Sequence, residues 1–303
     1  MATTRTNPTG PAGWWTERAG LDGTVAVVTG GAGGLGESIT LDLAANGVRV
    51  ALVDRDAASA ASITGHLETR GHDAIVQIGD ARHPEVLDGL FAAAAERWGR
   101  LDTLVNVVGG TFRAPFTEQS PRAWDALVRT NLTHVLHACA RAVPAMRVGG
   151  RGGSIVTLTT IEAHRAAPNF AVYAAAKAAV THFSRTLAVE LAPEHIRVNC
   201  VAPDIAPTPN MLGIGADGDD VAHPTLDPRN VAVSIPMGRL GEPSDISNAV
   251  VFLASGLSSF ITGTTLHPDG GALASSGWFN WPGSGFGNML PPDVLETMAP
   301  GWA

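Results

Sequence analysis

Tyrosine and lysine are almost missing from this chain of 303 residues, and cysteine is scarce. The sequence holds one tyrosine, Tyr173, one lysine, Lys177, and two cysteines, Cys139 and Cys200. Two cysteines cannot by themselves supply a zinc site or a disulfide framework. We therefore expect two reduced core thiols in a cytoplasmic protein.

Charge and long apolar runs are also limited. Charged residues make up 16 % of the chain and the net charge is −8, which argues against nucleic acid or an anionic membrane as a partner. No apolar run approaches the about 18 residues that span a bilayer, and residues 1–20 lack the apolar segment of a secretory signal. The ten histidines show no metal-ligand spacing, so no metal is predicted.

Short apolar runs alternate with longer segments of helical periodicity along residues 21–271. Strands are predicted at 24–28, 48–53, 74–78, 103–107, 154–158, 197–201 and 264–267. Helices are predicted from a Gly-rich turn to about residue 46, and at 57–70, 84–98, 121–146 (one helix or a pair), 172–191 and 243–254. The alternation predicts an α/β fold: a single-domain, Rossmann-type, doubly wound parallel sheet of seven strands. Its ligand crevice would lie at the carboxyl ends of the strands.

Three segments fall outside this rhythm. Residues 1–20 form an N-terminal extension, and residues 209–235 a long aperiodic loop that we expect to be a substrate loop. Residues 272–303 form a C-terminal extension rich in Gly, Pro and aromatic residues. Because a disordered tail is usually poor in aromatics, we expect this extension to pack on another surface, such as a neighbouring subunit.

The first predicted strand runs into a Gly-rich turn, Thr29–Gly36. Glycine lets a backbone approach a diphosphate closely, and the helix that follows offers free N–H groups to the same anion. A purely structural tight turn is the alternative interpretation. The strand–turn–helix context favours a dinucleotide site.

Polar and small residues end the next strands. Asp54 ends the second strand, where a carboxylate can accept hydrogen bonds from the adenosine ribose, so NAD is favoured over NADP. Arg55 follows directly and could pair with a 2′-phosphate, which keeps NADP open. The cofactor residues predicted in this half are Gly30, Gly33, Gly34, Leu35, Gly36, Asp54, Arg55, Asp80, Ala81, Asn106, Val107 and Gly109.

Tyr173 and Lys177 share one face of an alanine-rich predicted helix, since they stand at positions i and i+4. A phenol has an ordinary pKa near 10, and a neighbouring ammonium favours the phenolate. We therefore expect Lys177 to lower the pKa of Tyr173 and the pair to act as a general acid/base on a secondary alcohol or its ketone.

These motifs together resemble the short-chain dehydrogenase/reductase family. The resemblance covers residues 21–271 and is highly specific. It rests on Thr29–Gly36, Asn106–Gly109, Tyr173 with Lys177, Asn199–Pro203, Arg239–Pro243, Phe252–Ser255, Ile261–Gly263 and Asp269–Gly271.

The resemblance implies roles for particular residues. Tyr173 would exchange the proton with the substrate, and Lys177 would also contact the nicotinamide ribose. Asn131 would hold a water behind Lys177. Thr160, with Thr159 as a weaker candidate, would replace the family's catalytic serine. Pro203, Ile205 and Thr208 would lie at the nicotinamide, and Tyr173 beside it.

Two departures from the family pattern lie close to these residues. Asp204 stands where the family usually has glycine after Pro203, and it brings a charge to the mouth of the site. Val108 stands where alanine is common.

The substrate is less well specified than the reaction. Phe112, Glu162, Phe170 and Met211 are the predicted substrate pocket, which favours a hydrophobic steroid, terpenoid or alicyclic diol. A 3-oxoacyl-(acyl-carrier-protein) reductase is an alternative, opposed by Asp54 and the acidic 209–235 loop. A non-catalytic dinucleotide sensor or scaffold is the alternative from another class, opposed by the retained Tyr173 and Lys177. The resemblance implies a homotetramer.

Overall fold

The predicted strands form one seven-stranded parallel sheet in the computed structural model, which describes residues 11–208 and 227–297. Its spatial order is β3-β2-β1-β4-β5-β6-β7. The strands are β1 (Val25–Thr29), β2 (Arg49–Asp54), β3 (Ala74–Ile78), β4 (Thr103–Asn106), β5 (Gly153–Leu158), β6 (Ile196–Val201) and β7 (Thr265–Leu266). Every neighbouring pair is parallel. The doubly wound prediction is therefore confirmed, with the strand order reversing between β1 and β4.

Helices cover both faces of the sheet. They are α1 (Pro11–Ala19), α2 (Leu35–Ala45), α3 (Ala57–Thr69), α4 (Pro84–Trp98), α5 (Pro121–Val128), α6 (His134–Gly149), α7 (Ala171–Leu191), α8 (Pro228–Ser234) and α9 (Pro243–Ala254). Successive β1 side chains point to opposite faces of the sheet. Val28 packs in the core formed with α2, α3 and α9, and Val27 packs in the core formed with α4, α6 and α7. No helix among the described residues is long and apolar enough to cross a membrane.

The segment 121–146, predicted to be one helix or a pair, forms two helices. A five-residue π-helical turn, Arg129–Thr133, joins α5 to α6. Such turns insert one residue into a helix and often occur at functional sites. Here the turn carries Asn131, which is fully buried.

The segments predicted to lie outside the alternating strands and helices also contain helices and short strands. Helix α8 lies in the segment predicted to be aperiodic, where the Asp227 side chain accepts a hydrogen bond from the Arg229 N–H and Pro228 begins the helix. Residues 209–226 lie outside the described part of the chain. The C-terminal extension forms α10 (Ala272–Ser275), an antiparallel hairpin of β8 (Phe279–Trp281) and β9 (Gly285–Gly287), and α11 (Pro292–Glu296). Strand β8 contacts α8 of the same chain.

Candidate active site

The Gly-rich turn lies where the strand order reverses, between β1 and α2. A β-carbon on Gly36 would collide with the carbonyl oxygen of Gly30, so only glycine allows the helix to start this close to the strand. A β-carbon on Gly34 would lie 3.2 Å from Cγ2 of Thr208, which follows β6. Gly34 is the N-cap of α2 and no side chain caps that end. The turn therefore presents a helix N-terminus to the crevice, as a dinucleotide diphosphate requires.

Asp54 is fixed beside this turn by backbone donors. Its Oδ2 accepts a hydrogen bond from Ala32 N at 3.1 Å, and its Oδ1 accepts one from Asp56 N at 3.1 Å. Arg55 is exposed. The structure therefore holds the Asp54 carboxylate at the end of β2, next to the place where the turn would receive a diphosphate.

The Asp80 carboxylate pairs with Arg82. Arg82 Nε donates to both carboxylate oxygens at 2.9 Å, which lowers the pKa of Asp80 to about 2. Arg82 Nη1 also donates to Thr130 Oγ1 at 3.3 Å, which links the end of β3 to the π-helical turn. The neighbouring Ala81 is buried.

The end of β4 is more deeply buried than its sequence suggested. The Asn106 side chain is 1 % exposed, and its Nδ2 donates to Thr157 Oγ1 at 3.1 Å. Asn106 is therefore enclosed by the fold, and Val107 N next to it donates to Thr29 O at 3.1 Å. Gly109 lies in the crevice itself, where a β-carbon would be 3.1 Å from Lys177 Nζ.

Tyr173 and Lys177 lie on the first two turns of α7, against the carboxyl end of β5. Lys177 is 3 % exposed, and its Nζ donates to Leu158 O at 2.8 Å. The Thr160 side chain lies close enough to the Tyr173 phenol to lower its pKa. The Thr159 hydroxyl instead donates to Val201 O at 3.3 Å inside the sheet. Of the two threonines, Thr160 is therefore the one that faces the phenol.

The expected effect of Lys177 on the pKa of Tyr173 is wrong for this structure. Burial raises the pKa of Tyr173 to about 12; the Thr160 side chain opposes the rise, and the Glu162 charge adds to it. Burial also lowers the pKa of Lys177 to about 8. The ammonium is directed at the Leu158 carbonyl, and desolvation of the phenol outweighs any attraction between the two groups. The phenol is therefore protonated at neutral pH.

Asn131 joins the π-helical turn to the loop after β4. Its Oδ1 accepts from Gly110 N at 3.2 Å, and its Nδ2 donates to Gly110 O at 2.8 Å and to Leu127 O at 3.0 Å. A β-carbon on Gly109 would lie 3.3 Å from Asn131 Oδ1 as well as close to Lys177. Asn131 Oδ1 and Lys177 Nζ thus lie together on one side of Gly109.

Phe170 and Glu162 are the predicted substrate residues that the structure places near Tyr173. The Phe170 ring meets the Tyr173 ring edge-on, with centroids 6.4 Å apart. Glu162 Oε1 accepts from Arg165 Nη2 at 2.9 Å. Phe112 is 42 % exposed, and Met211 lies outside the described residues.

The segment after β6 borders the site on its other side. Pro203 O accepts a hydrogen bond from Ile161 N at 3.1 Å, and Ile205 O accepts one from Gly241 N at 3.0 Å. Beyond them lies a cavity of about 380 Å³ that includes Asp204 and Phe279. Arg165 also lines this cavity, although the sequence analysis did not single it out. The aromatic content of the C-terminal extension was the signal that pointed to Phe279.

The fold and the crevice define a dinucleotide-binding α/β protein of the Rossmann type, with a tyrosine–lysine pair at the carboxyl end of β5. Residues 30–272 match the family model described as Enoyl-(Acyl carrier protein) reductase. The chain belongs to the short-chain dehydrogenase/reductase family of oxidoreductases.

Relatives within this family carry several activities in their names. The chain is 34 % identical over 256 residues to 2,3-dihydro-2,3-dihydroxybenzoate dehydrogenase of Bacillus subtilis, covering 84 % of this chain and 97 % of that protein. It is 32 % identical over 248 residues to a 3-oxoacyl-(acyl-carrier-protein) reductase of Chlamydia trachomatis, covering 81 % and 96 %. Among solved structures, 7α-hydroxysteroid dehydrogenase complexed with NADH and 7-oxo glycochenodeoxycholic acid is 31 % identical with a TM-score of 0.76, covering 83 % and 94 %.

Proposed function

We propose that this protein is an NAD(H)-dependent oxidoreductase that interconverts a secondary alcohol and a ketone on a largely hydrophobic substrate. The observation that carries the proposal is the position of the Tyr173 phenol. It lies beside the Thr160 side chain at the carboxyl end of β5, one helical turn from a buried lysine. Two hydroxyl groups there can polarise one substrate oxygen without a metal ion.

The residues of the crevice fit a nicotinamide dinucleotide. Gly30, Gly33, Gly34, Leu35 and Gly36 form the turn and helix start for the diphosphate. Asp54 would take the adenosine ribose, Asp80 and Ala81 would border the adenine, and Pro203, Ile205 and Thr208 would border the nicotinamide. When bound, the cofactor would supply or accept the hydride at its nicotinamide ring.

The chain's own residues handle the proton. Because the pKa of Tyr173 is about 12, the phenol is a proton donor at neutral pH and is suited to ketone reduction. The Thr160 hydroxyl orients the substrate oxygen toward it. Lys177, whose pKa of about 8 lies close to neutrality, can return the proton. Asn131 holds the Gly110 loop and so positions Gly109 against Lys177.

A matched pair of variants tests this assignment. Thr160→Val removes the hydroxyl that faces Tyr173, whereas Thr159→Val removes the adjacent buried hydroxyl that bonds Val201 O. We expect kcat for NADH-dependent ketone reduction to fall about a hundredfold or more in Thr160→Val and in Tyr173→Phe. Thr159→Val should retain wild-type kcat. Equal activity in both threonine variants, or full activity in Tyr173→Phe, would refute the proposed roles.

Cofactor preference is tested at Asp54. Its carboxylate would repel a 2′-phosphate, so we expect kcat/KM to favour NADH over NADPH. Asp54→Asn should reduce that preference, while Asp56→Asn, two residues away at the helix cap, should leave it unchanged. A wild-type preference for NADPH would assign the 2′-phosphate to Arg55 instead.

Reduction of an acyl-carrier-protein thioester is the second candidate, and the reductase relative of Chlamydia trachomatis supports it. Asp54 and the net charge of −8 oppose it, because an acidic carrier protein is attracted to a basic entrance. Turnover of an acetoacetyl carrier protein faster than of any free ketone would favour this candidate. Tight NADH binding without turnover of any ketone or alcohol would favour the sensor.

We also propose a homotetramer in which residues 21–271 form the dinucleotide-binding unit and the C-terminal extension completes the substrate cavity. Leu136 on α6 and Val189 on α7 are exposed apolar side chains, 38 % and 76 % accessible. Subunit contact along these helices would cover them. Light scattering in solution tests the stoichiometry, and a monomeric mass would contradict it.

A further inference from the structure

Asp204 lies beside the reacting groups without being one of them. It follows Pro203, whose carbonyl oxygen accepts the Ile161 N–H at 3.1 Å. This hydrogen bond holds the segment after β6 against the turn that carries Thr160. The Glu162 charge, in the same turn, acts on both Tyr173 and Asp204. Asp204 and Tyr173 therefore flank one turn of the chain.

The cavity beside Asp204 has a mixed lining. Its volume is about 380 Å³, and Ile205, Val231 and Phe279 form apolar walls. Arg165 and Asp204 are its charged residues. Phe279 belongs to the C-terminal extension, which therefore shapes this cavity from within the same chain.

The Asp204 carboxylate is short of hydrogen-bond donors. Its side chain is 13 % exposed, and the nearest cation, Arg165 Nη2, is 3.7 Å from Oδ1. Arg165 instead donates to Glu162 Oε1 at 2.9 Å. Within the ranges 11–208 and 227–297, the Arg165 contact at 3.7 Å is the ion pair that Asp204 forms. A carboxylate that is partly exposed on a cavity and lacks a close donor can accept a hydrogen bond from a ligand.

The charges around Asp204 restrict that ligand. Burial raises the pKa of Asp204 to about 6; Arg165 opposes the rise, and Glu162 and Asp269 add to it. The carboxylate is therefore ionised at pH 8. Three carboxylates against one arginine repel an anionic group. A hydroxyl group can donate to the carboxylate without bringing a charge against the apolar walls of the cavity.

We propose that Asp204 determines substrate specificity by accepting a hydrogen bond from a second hydroxyl group of the substrate. The substrate would then be a neutral diol, or the corresponding hydroxyketone, on an apolar ring frame. This inference rests on the proposed function, since the first hydroxyl is the one that Tyr173 and Thr160 engage.

The test compares substrates that differ by one hydroxyl. We would measure kcat/KM with NAD for 1,2-dihydroxytetralin and for 1- and 2-hydroxytetralin. The enzymes would be wild type, Asp204→Ala, Asp204→Asn and Asp88→Ala. Asp88 on α4 is the matched control. Its exposed carboxylate also pairs with an arginine, since Arg141 Nε lies 2.8 Å from Asp88 Oδ1.

We expect the diol-to-mono-ol ratio to fall about tenfold to a hundredfold in Asp204→Ala, the size expected for a lost hydrogen bond to a charged group. The ratio should fall less in Asp204→Asn and remain unchanged in Asp88→Ala. An unchanged ratio in Asp204→Ala would overturn the inference while leaving the proposed function intact. If the wild type oxidises neither diol nor mono-ol and reduces no ketone, the proposed function fails and this inference with it.

Thermal unfolding separates specificity from a structural role. If Asp204 serves the ligand, removing a buried, poorly partnered charge leaves Tm unchanged or raises it. A Tm in Asp204→Ala clearly below that of wild type and Asp88→Ala would assign Asp204 to the fold and overturn the inference.

Discussion

Replacing Lys177 with methionine should abolish turnover. It should also remove the destabilisation of the folded state that comes from burying the lysine charge. Lys177 is 3 % exposed, and burial lowers its pKa from 10.5 to about 8. The folded state therefore binds this proton less tightly than the unfolded chain. The resulting loss in the free energy of unfolding is fully present below pH 8 and disappears as pH rises through 10.5.

The magnitude follows from the two pKa values. At about 1.4 kcal/mol per pH unit, the difference between 10.5 and about 8 corresponds to about 3 kcal/mol. The substitution also leaves Leu158 O without its donor, which costs about 1–3 kcal/mol and does not depend on pH. At pH 7 the two effects partly cancel. Their difference in pH dependence is the measurable quantity.

Urea unfolding followed by tryptophan fluorescence would measure it between pH 7 and 10.5. We expect the free energy of unfolding of wild type to gain about 3 kcal/mol over this range relative to Lys177→Met. Tyr173→Phe keeps the lysine and should show the wild-type dependence up to pH 10. Parallel pH profiles for wild type and Lys177→Met would refute the reasoning, because they would show that burial does not perturb the lysine.

Three further outcomes are expected. Gly36→Ala should weaken NADH binding at least tenfold or unfold the protein, because its β-carbon collides with Gly30 O; tight binding measured by NADH fluorescence would contradict this. Burial raises the pKa of the Cys139 thiol to about 12 and also raises the pKa of the Cys200 thiol. A thiol reagent at pH 8 should therefore label both cysteines only after unfolding. Labelling of the folded protein within minutes would contradict this prediction. The diol preference should be weaker at pH 5 than at pH 8, since protonation removes the Asp204 charge; a preference that is constant over this range would assign it elsewhere.

The strands and most helices could be predicted because local signals agree with the packing there. Helix α4 has the predicted bounds: Pro84 begins it, Gly99 in the left-handed region ends it, and Leu87, Leu90 and Ala94 are buried at helical spacing. Strand β1 has an apolar sequence because both of its faces are covered.

The π-helical turn and α8 could not be predicted for different reasons. Periodicity gives the faces of a helix but does not register one inserted residue, so it could not decide between one helix and a pair at 121–146 or locate the turn between them. Helix α8 has seven residues, too few for a periodic pattern to stand out from the polar loop around it.

The electrostatics of the candidate site exposed the main limit of sequence reasoning. The spacing of Tyr173 and Lys177 places them on one face but carries no information about how deeply each is buried. Desolvation then decides the pKa of both groups, in the direction opposite to that expected from their charges. The roles predicted for Asn131, Thr160 and the other site residues remain predictions that the variants above would test.

At the π-helical turn, a change that raises the stability of this protein would lower its activity. Removing one residue from Arg129–Thr133 would restore a regular α-helix, the kind of idealisation that usually raises stability. Every side chain beyond the deletion would then rotate by about 100°, and the amide of Asn131 would leave both Gly110 and Leu127. Consensus or computational redesign that scores helical regularity should therefore leave this turn unaltered, because its irregular geometry holds the loop beside Lys177 in place.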